Sequence, residues 1–142
     1  MTKTAYLGGG CFWCLEAAFK ELEGVEEVIS GYAGGSTKDP SYREVCSDKN
    51  EHAEVVKITY DESKIYYEDL LSFFFKIHNP TTKNREGSDR GNQYRSIILT
   101  EDDKQKGKAE DFIEEEGQYY SEDIVTEVRP LERFWPAEEK HQ

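Results

Sequence analysis

The sequence predicts a two-layer α+β or α/β domain, in which a β-sheet packs against helices. Segments with strand-like alternation or β-branched content are interleaved with segments whose apolar residues recur at helical spacing. The resulting order is strand, helix, strand, strand, helix, strand, helix, strand. Hydrophobic residues make up 36% of the 142 residues and aromatic residues 13%, including the block Phe73-Phe74-Phe75. This is enough apolar material for one core, so we expect residues 1–142 to form a single domain.

Each element of the first half is predicted from its apolar pattern and from the residues at its ends. The first strand runs into three consecutive glycines, and the first helix stops at Gly24. The second helix must end before Pro80, because a proline disfavours helical geometry in the residue that precedes it. The predicted elements are a strand at 4–7, a helix over 12–22, strands at 25–32 and 53–60, and a helix at 67–78.

The second half begins with a long polar loop over 79–93, followed by a predicted strand at 94–99. Thr100 is predicted to cap the next helix, with Asp103 at its third position as a variant of the capping box. We expect this helix to reach about Gln118. It lies in an acidic run, since residues 101–127 contain 11 Asp/Glu against 3 Lys, and the run predicts a solvated helix face. A last strand is predicted at 124–128, before Pro130.

Charge and composition exclude several classes of partner. The net charge of −12 would repel a phosphate backbone, so we expect no nucleic-acid binding. The first residues lack the apolar stretch of a signal peptide, and no run approaches the roughly 18 apolar residues of a membrane span. We therefore expect a cytoplasmic protein without membrane association, and a monomer. Its three cysteines do not form an extracellular disulfide framework.

The most reactive group predicted from the sequence is the thiol of Cys11. This residue follows Gly8-Gly9-Gly10 and stands at the predicted start of a helix. Unpaired backbone N–H groups and the positive end of the helix dipole both favour the thiolate there. Phe12 and Trp13 could line an apolar pocket beside the thiol, although each alone is typical of a core residue.

Cys14 lies three residues after Cys11 and is open to three interpretations: a redox partner, a metal ligand or a core residue. A zinc site needs about four ligands, and Cys46 and the three histidines show no second metal-binding spacing. We therefore predict no metal. A first-turn Cys11–Cys14 disulfide is feasible if the helix unwinds slightly.

A carboxyl and two phenols occur at strand ends, where functional sites are commonly built. Glu54 is in phase with Val56 and Ile58, which places it on the apolar face of its strand. If it is buried there, desolvation favours its protonated form, which could act as an acid; otherwise it simply reaches water at the strand start. Tyr32 and Tyr94 stand at the ends of their own strands, where a tyrosine is usually half-buried core.

Together, these stretches resemble the A-type peptide methionine sulfoxide reductases. Each stretch is short, but they occur in the order of that family and extend over nearly the whole chain. They are Gly10-Cys11-Phe12-Trp13, Gly31-Tyr32-Ala33-Gly34-Gly35, Tyr42-Arg43-Glu44-Val45-Cys46-Ser47, His52-Ala53-Glu54-Val55-Val56, His78-Asn79-Pro80-Thr81, Gln93-Tyr94-Arg95-Ser96 and Phe134-Trp135-Pro136-Ala137-Glu138-Glu139-Lys140-His141-Gln142.

The resemblance implies an α+β fold: a two-layer mixed sheet flanked by helices, with a ferredoxin-like core. It also implies reduction of the S epimer of methionine sulfoxide, free or in proteins, with a thioredoxin-like external reductant and no cofactor. Carried over position by position, the roles are Cys11 as nucleophile, Glu54 as the acid, Tyr32 and Tyr94 as hydrogen-bond donors to the sulfoxide oxygen, Phe12 and Trp13 as the methyl pocket, and Asp89 as a ligand of the substrate amide.

The sequence departs from the family pattern in its cysteines. Many relatives have glycine at the position of Cys14 and resolving cysteines in a C-terminal tail, whereas this chain has no cysteine after Cys46. The thiol that resolves the oxidised Cys11 is therefore expected to be Cys14 by proximity, with Cys46 or an external thiol as alternatives. Cys11-Phe12-Trp13-Cys14 alone would also fit a thioredoxin-like dithiol–disulfide oxidoreductase, in which Glu54 and the two tyrosines have no assigned role.

Overall fold

The strands predicted from alternation and β-branched content form one sheet, which is covered by helices. The computed structural model describes residues 2–10, 12–33, 53–78, 80–81, 85–86, 89–90, 95–120, 122–132 and 134–137, with the backbone alone at 12, 85–86 and 89–90. The elements are β1 (Thr2–Gly8), α1 (Phe12–Lys20), β2 (Val25–Ala33), β3 (Ala53–Asp61), α2 (Tyr67–Ile77), β4 (Arg85–Glu86), β5 (Asp89–Arg90), β6 (Ile97–Thr100), α3 (Asp103–Glu116), a 3₁₀ turn (Gly117–Tyr119), β7 (Glu127–Pro130) and β8 (Phe134–Pro136).

The strand order confirms the predicted α+β class and the ferredoxin-like core. Across the main sheet the order is β7-β6-β1-β3-β2-β8. The unit β1-α1-β2-β3-α2-β6 forms its centre, where each strand is antiparallel to its neighbours. The sheet is mixed because β7 runs parallel to β6, whereas β8 extends the other edge antiparallel to β2. Strand β3 is therefore central, paired with β1 on one side and β2 on the other.

Two apolar clusters cover the faces of this sheet. On the helix side, side chains of β1, β2 and β3 pack against α1 and α2, and this cluster includes the fully buried Phe19, Ile58, Leu70 and Phe74. A smaller cluster, including Tyr6, Val55, Ile97 and Leu99, covers the opposite face. Helix α3 buries only Gln105 and Ala109, so the acidic run is a solvated helix face, as predicted. None of the helices in the described part of the chain could span a membrane.

The predicted cap of α3 is wrong by two residues. Asp102, not Thr100, is the N-cap, and its carboxylate accepts a 2.8 Å hydrogen bond from the backbone N–H of Gln105. Thr100 belongs to β6 instead, where it pairs with Pro130 of β7. Both residue types cap helices well, so the local sequence offers two starts, and the pairing of β6 with β7 selects the later one.

The strand boundaries of the second half also differ from the prediction. The last predicted strand, 124–128, is shifted to Glu127–Pro130, and the strand predicted at 94–99 is Ile97–Thr100. Pro130 is tolerated because β7 is an edge strand, where a missing N–H breaks no interior ladder. The predicted loop 79–93 contains the small β4–β5 hairpin, and β8 was not predicted.

Helix α3 contains a glycine that the fold does not require, so we expect Gly107→Ala to stabilise the protein. A Cβ at Gly107 would meet no atom within 4 Å. Alanine should raise the free energy of unfolding by about 0.5–1 kcal/mol, because glycine loses more backbone entropy in a helix. Gly31→Ala is the opposite control, since its Cβ would lie 2.5 Å from the backbone oxygen of Trp135. Urea unfolding of both variants measures the difference; a loss of stability in Gly107→Ala would contradict this account.

Candidate active site

The turn between β1 and α1 can be built only from small residues. A Cβ on Gly8 would lie 2.6 Å from the backbone oxygen of Glu54, so the two strands approach too closely for a side chain. Gly10 has a φ of 87°, in the left-handed region that disfavours other residues. Helix α1 begins at Phe12. Cys11 itself lies outside the described residues, but the sequence places it between this turn and the unpaired N–H groups of the first helical turn.

Helix α1 is fixed to the sheet on one side and exposes its first turn on the other. Leu15 and Phe19 are buried in the core. The Oγ of Ser30, on β2, donates a 2.8 Å hydrogen bond to the carboxylate of Glu16. Lys20 lies 3.1 Å from the same carboxylate. Because the inner face is held in this way, Cys14 faces solvent as a free thiol.

Glu54 and Tyr32 lie side by side on the sheet. They are paired directly in the register of β2 and β3, and each is only 1% exposed. Directly paired residues of antiparallel strands have their Cβ atoms about 5 Å apart on one face. The alternative that Glu54 simply reaches water at the strand start is therefore excluded.

The burial pattern of β3 identifies the face on which this pair lies. Val56, Ile58 and Tyr60, in phase with Glu54, all belong to the helix-side core, as does Tyr32. The carboxyl and the phenol thus lie on the side of the sheet covered by α1. The backbone of Glu54 also contacts the Gly8 position. The structure therefore brings the predicted acid and one predicted phenol to the glycine turn that leads to Cys11.

Trp135 is a neighbour of this pair that sequence reasoning did not assign to the site. In the register of β2 and β8 it is directly paired with Tyr32. Trp135, Tyr32 and Glu54 therefore form a row across three adjacent strands, on one face. In the sequence, Phe134-Trp135-Pro136 is recognisable only as part of the C-terminal motif. An aromatic residue on a three-residue edge strand gives no local signal of its partner, because the pairing joins segments far apart in sequence.

Trp13 lies at the exposed end of the site, next to Cys14. Its side chain is 45% exposed, which is unusual for so large an apolar group. Cys11, Tyr94 and Cys46 lie outside the described residues, as do the side chains of Phe12 and Asp89, whose backbones belong to α1 and β5.

No metal site is evident in the described ranges, where no three His, Cys, Asp or Glu side chains converge on one point. A polar cavity of about 440 Å³ lies at the other end of β1, lined among others by Lys3, Tyr67, Glu101 and Lys108. It contains none of the predicted site residues. Lys3 forms an ion pair with Glu62, and Lys108 forms one with Glu68. This cavity is therefore separate from the thiol chemistry.

A buried carboxyl and phenol beside the turn that precedes Cys11 in sequence, on an α+β fold, match the class of thiol-dependent reductases that the sequence predicts. Comparisons with known proteins agree with that class. A family model described as peptide methionine sulfoxide reductase matches residues 3–142. The peptide methionine sulfoxide reductase MsrA of Natronomonas pharaonis is 60% identical over 144 residues, covering 100% of this chain and 81% of the relative.

Solved structures give the same result. Methionine sulfoxide reductase A of Corynebacterium diphtheriae superimposes with a TM-score of 0.96 at 35% identity, covering 99% of this chain and 72% of that one. Mxr1 from Saccharomyces cerevisiae in complex with Trx2 superimposes with a TM-score of 0.74 at 27% identity, covering 99% and 84%. The chain therefore belongs to the peptide methionine sulfoxide reductase family.

Because Gly10 has a left-handed conformation, a substitution there tests whether the geometry of this turn matters for turnover. We expect Gly10→Ala to lower the free energy of unfolding by about 1–2 kcal/mol, because an L side chain is strained at positive φ. It should also slow sulfoxide reduction by the protein that remains folded, since the strain displaces the residue before Cys11. Gly24→Ala is the control for turnover, because Gly24 has a similar φ of 96° in a remote turn, and its Cβ would also lie 2.8 Å from Cγ2 of Ile65, so its loss of stability should be at least as large. Unfolding curves and turnover are measured together; equal effects of both variants on turnover would refute a special role for Gly10.

Proposed function

We propose that this chain reduces the S epimer of methionine sulfoxide, free or in proteins, with Cys11 as the nucleophile. The observation that supports it most is the buried pairing of Glu54 with Tyr32. A sulfoxide sulfur is a poor electrophile until its oxygen receives a proton or strong hydrogen bonds. A carboxyl and a phenol side by side, away from water, can supply both at one oxygen atom.

Burial decides what each of the two groups contributes. A desolvated carboxyl is less stable as an anion, which favours the protonated acid that the reaction needs. The hydroxyl of Tyr32 donates one hydrogen bond to the sulfoxide oxygen, and Tyr94, by the family resemblance, donates a second. Both interactions strengthen as negative charge develops on that oxygen, so they stabilise the transition state more than the bound substrate.

The chemical step transfers oxygen from one sulfur to another. The Cys11 thiolate attacks the sulfoxide sulfur while Glu54 gives its proton to the oxygen. The S–S bond formed by this attack then breaks as the hydroxyl group moves from the substrate sulfur to the Cys11 sulfur, and the electron pair of the S–S bond returns to the substrate sulfur. Methionine leaves with its sulfur reduced by two electrons, and Cys11 carries the oxygen as a sulfenic acid. The place of Cys11 in the sequence, directly before α1, supports this role, because the unpaired N–H groups and the dipole at a helix start favour a thiolate.

Cys14 is the proposed resolving thiol. It lies in the first turn of α1, and its thiol is exposed. Its attack on the sulfenic sulfur of Cys11 forms an S–S bond and releases water. The overall balance is one sulfoxide and two thiols giving methionine, water and one disulfide. Cys46 is the second candidate for this step.

The proposed apolar contacts with the substrate also lie at the start of α1. Phe12 and Trp13 are proposed to contact the substrate methyl group, and the exposure of Trp13 agrees with a contact that forms only when substrate binds. Asp89 is proposed to accept a hydrogen bond from the substrate amide. We propose that the first turnover needs no metal or organic cofactor.

The disulfide must be reduced for a second turnover, and we propose a thioredoxin-like reductant. Thiol–disulfide exchange requires an attacking thiolate to reach one sulfur of the disulfide. The exposed first turn of α1 allows this approach at Cys14. The structure of Mxr1 in complex with Trx2 supports a partner of this type. A general dithiol oxidoreductase would not need the buried Glu54–Tyr32 pair, and we therefore favour the sulfoxide reductase.

Glu54→Gln tests the acid. The amide retains the shape and hydrogen-bonding capacity of the side chain but cannot deliver the proton, so the rate of the first turnover should fall by about 100-fold or more. Glu16→Gln is the matched control, because it removes a different buried carboxyl that hydrogen-bonds Ser30. Rapid-quench measurement of methionine from pre-reduced protein gives both rates. Equal rates for Glu54→Gln and wild type would remove Glu54 from the mechanism.

Single-turnover reduction of the separated epimers tests the whole proposal. Pre-reduced wild-type protein without added reductant should form about one methionine per chain from the S epimer alone, with two thiols lost. Cys14→Ser should form the same methionine but lose one thiol, because the sulfenic acid then has no partner in α1. Two thiols lost in Cys14→Ser but one in Cys46→Ser would instead identify Cys46. No methionine from either epimer would overturn the proposed function.

A further inference from the structure

His78, which the proposed mechanism does not use, is fixed by hydrogen bonds at both ring nitrogens and by stacking on an aromatic ring. It follows the last residue of α2 and is only 7% exposed. Its ring stacks on Phe74 with 4.0 Å between the ring centroids. Nδ1 lies 2.6 Å from the backbone oxygen of Phe74, and Nε2 lies 2.8 Å from the Oγ of Ser96. A histidine at a helix end usually acts as a cation on the dipole, but this one is buried among aromatic rings.

The hydrogen bonds around His78 run in one direction. A backbone oxygen can only accept, so Nδ1 carries the proton and donates to Phe74. Burial lowers the pKa of His78 to about 4, although the bond to Phe74 opposes the shift. The ring is therefore neutral near pH 7, and Nε2 accepts from the hydroxyl of Ser96. The Oγ of Ser96 in turn lies 2.8 Å from Oγ1 of Thr126, which donates to it. Thr126, Ser96, His78 and Phe74 thus form a chain with one fixed tautomer.

The ring at the centre of this chain touches the glycine turn. A Cβ on Gly9 would lie 2.7 Å from Cδ2 and 3.1 Å from Nε2 of His78. The backbone of Gly9 therefore packs directly on the imidazole. Gly9 precedes the left-handed Gly10 and lies two residues before Cys11. Three consecutive glycines have the greatest backbone freedom and no side chains of their own to restrict it.

We propose that His78 is a positioning residue for the nucleophile. Its ring, oriented by Ser96 and Thr126, is the surface against which Gly9 is fixed, and this sets the direction in which the turn presents Cys11. Ser96 also lies two residues after Tyr94 in sequence, so the same chain links the segment of a proposed hydrogen-bond donor to that of the nucleophile. The inference rests on the proposed role of Cys11. A displacement of about 1 Å in a reacting group can cost roughly 100-fold in rate.

Single-turnover kinetics over a range of S-sulfoxide concentrations, with pre-reduced full-length protein, tests this role. His78→Gln removes the ring, and Ser96→Ala removes only the hydroxyl that orients it. We expect the maximal rate to fall by about 10- to 100-fold in His78→Gln and several-fold in Ser96→Ala, with half-saturation changed less than twofold. The double variant should be no slower than His78→Gln, because Ser96 acts through the ring. Thr126→Val should slow the reaction, whereas Thr126→Ser, which retains the hydroxyl, should restore the wild-type rate.

Thr100→Val is the matched control for stability. It also removes a buried hydroxyl from β6, but this hydroxyl bonds the backbone oxygen of Arg129 and is not part of the chain to His78. A maximal rate of Ser96→Ala within twofold of that of Thr100→Val overturns the positioning role, even if His78→Gln fails to fold. Cys11→Ser separates the two proposals. If it forms no methionine while Ser96→Ala and His78→Gln react normally, only the positioning role fails; if it still forms methionine, the proposed nucleophile fails too.

Discussion

The pairing of β3 with both β1 and β2 is the constraint on which the site depends. Because β3 is central, its register sets two neighbours at once: Tyr32 is paired with Glu54 on one side, and the Gly8 backbone lies against Glu54 on the other. A slip of one residue would turn Glu54 to the opposite face of the sheet. Val56 and Ile58 prevent this slip, since they would leave the helix-side core with it. The apolar core therefore fixes the position of the polar pair.

The buried polar groups near the site are costly to bury, and most of them are matched by defined partners. Ser30 donates to Glu16, and Ser96 donates to His78. An unsatisfied buried group costs about 1–3 kcal/mol, so these bonds offset the desolvation of their members. They also connect α1 to β2, and α2 to the residue just before β6. The first bond therefore holds α1 against the sheet, and the second holds the end of α2 against the residue that leads into β6.

The sequence predicts the parts of this enzyme that depend on local pattern and misses those that depend on pairing at a distance. Alternation in β3 places Glu54 on the apolar face, and the three glycines predict a tight strand-to-helix turn. By contrast, nothing near Trp135 indicates that it pairs with Tyr32, because about a hundred residues separate the two strands. The choice between Thr100 and Asp102 as a cap was also not local. It depended on how far β6 extends along β7.

Exposure separates the two kinds of chemistry in the proposed cycle. Protonation of a sulfoxide oxygen requires a site with little water, and Glu54 and Tyr32 are each 1% exposed. Disulfide exchange requires the opposite, since a second protein must reach a sulfur atom, and Cys14 is exposed on the outer side of α1. Cys11 stands in sequence between these two environments, after a turn packed on the sheet and before the exposed first turn of α1. In the proposed cycle, Cys11 reacts first with the sulfoxide on the buried side and then with Cys14 on the exposed side.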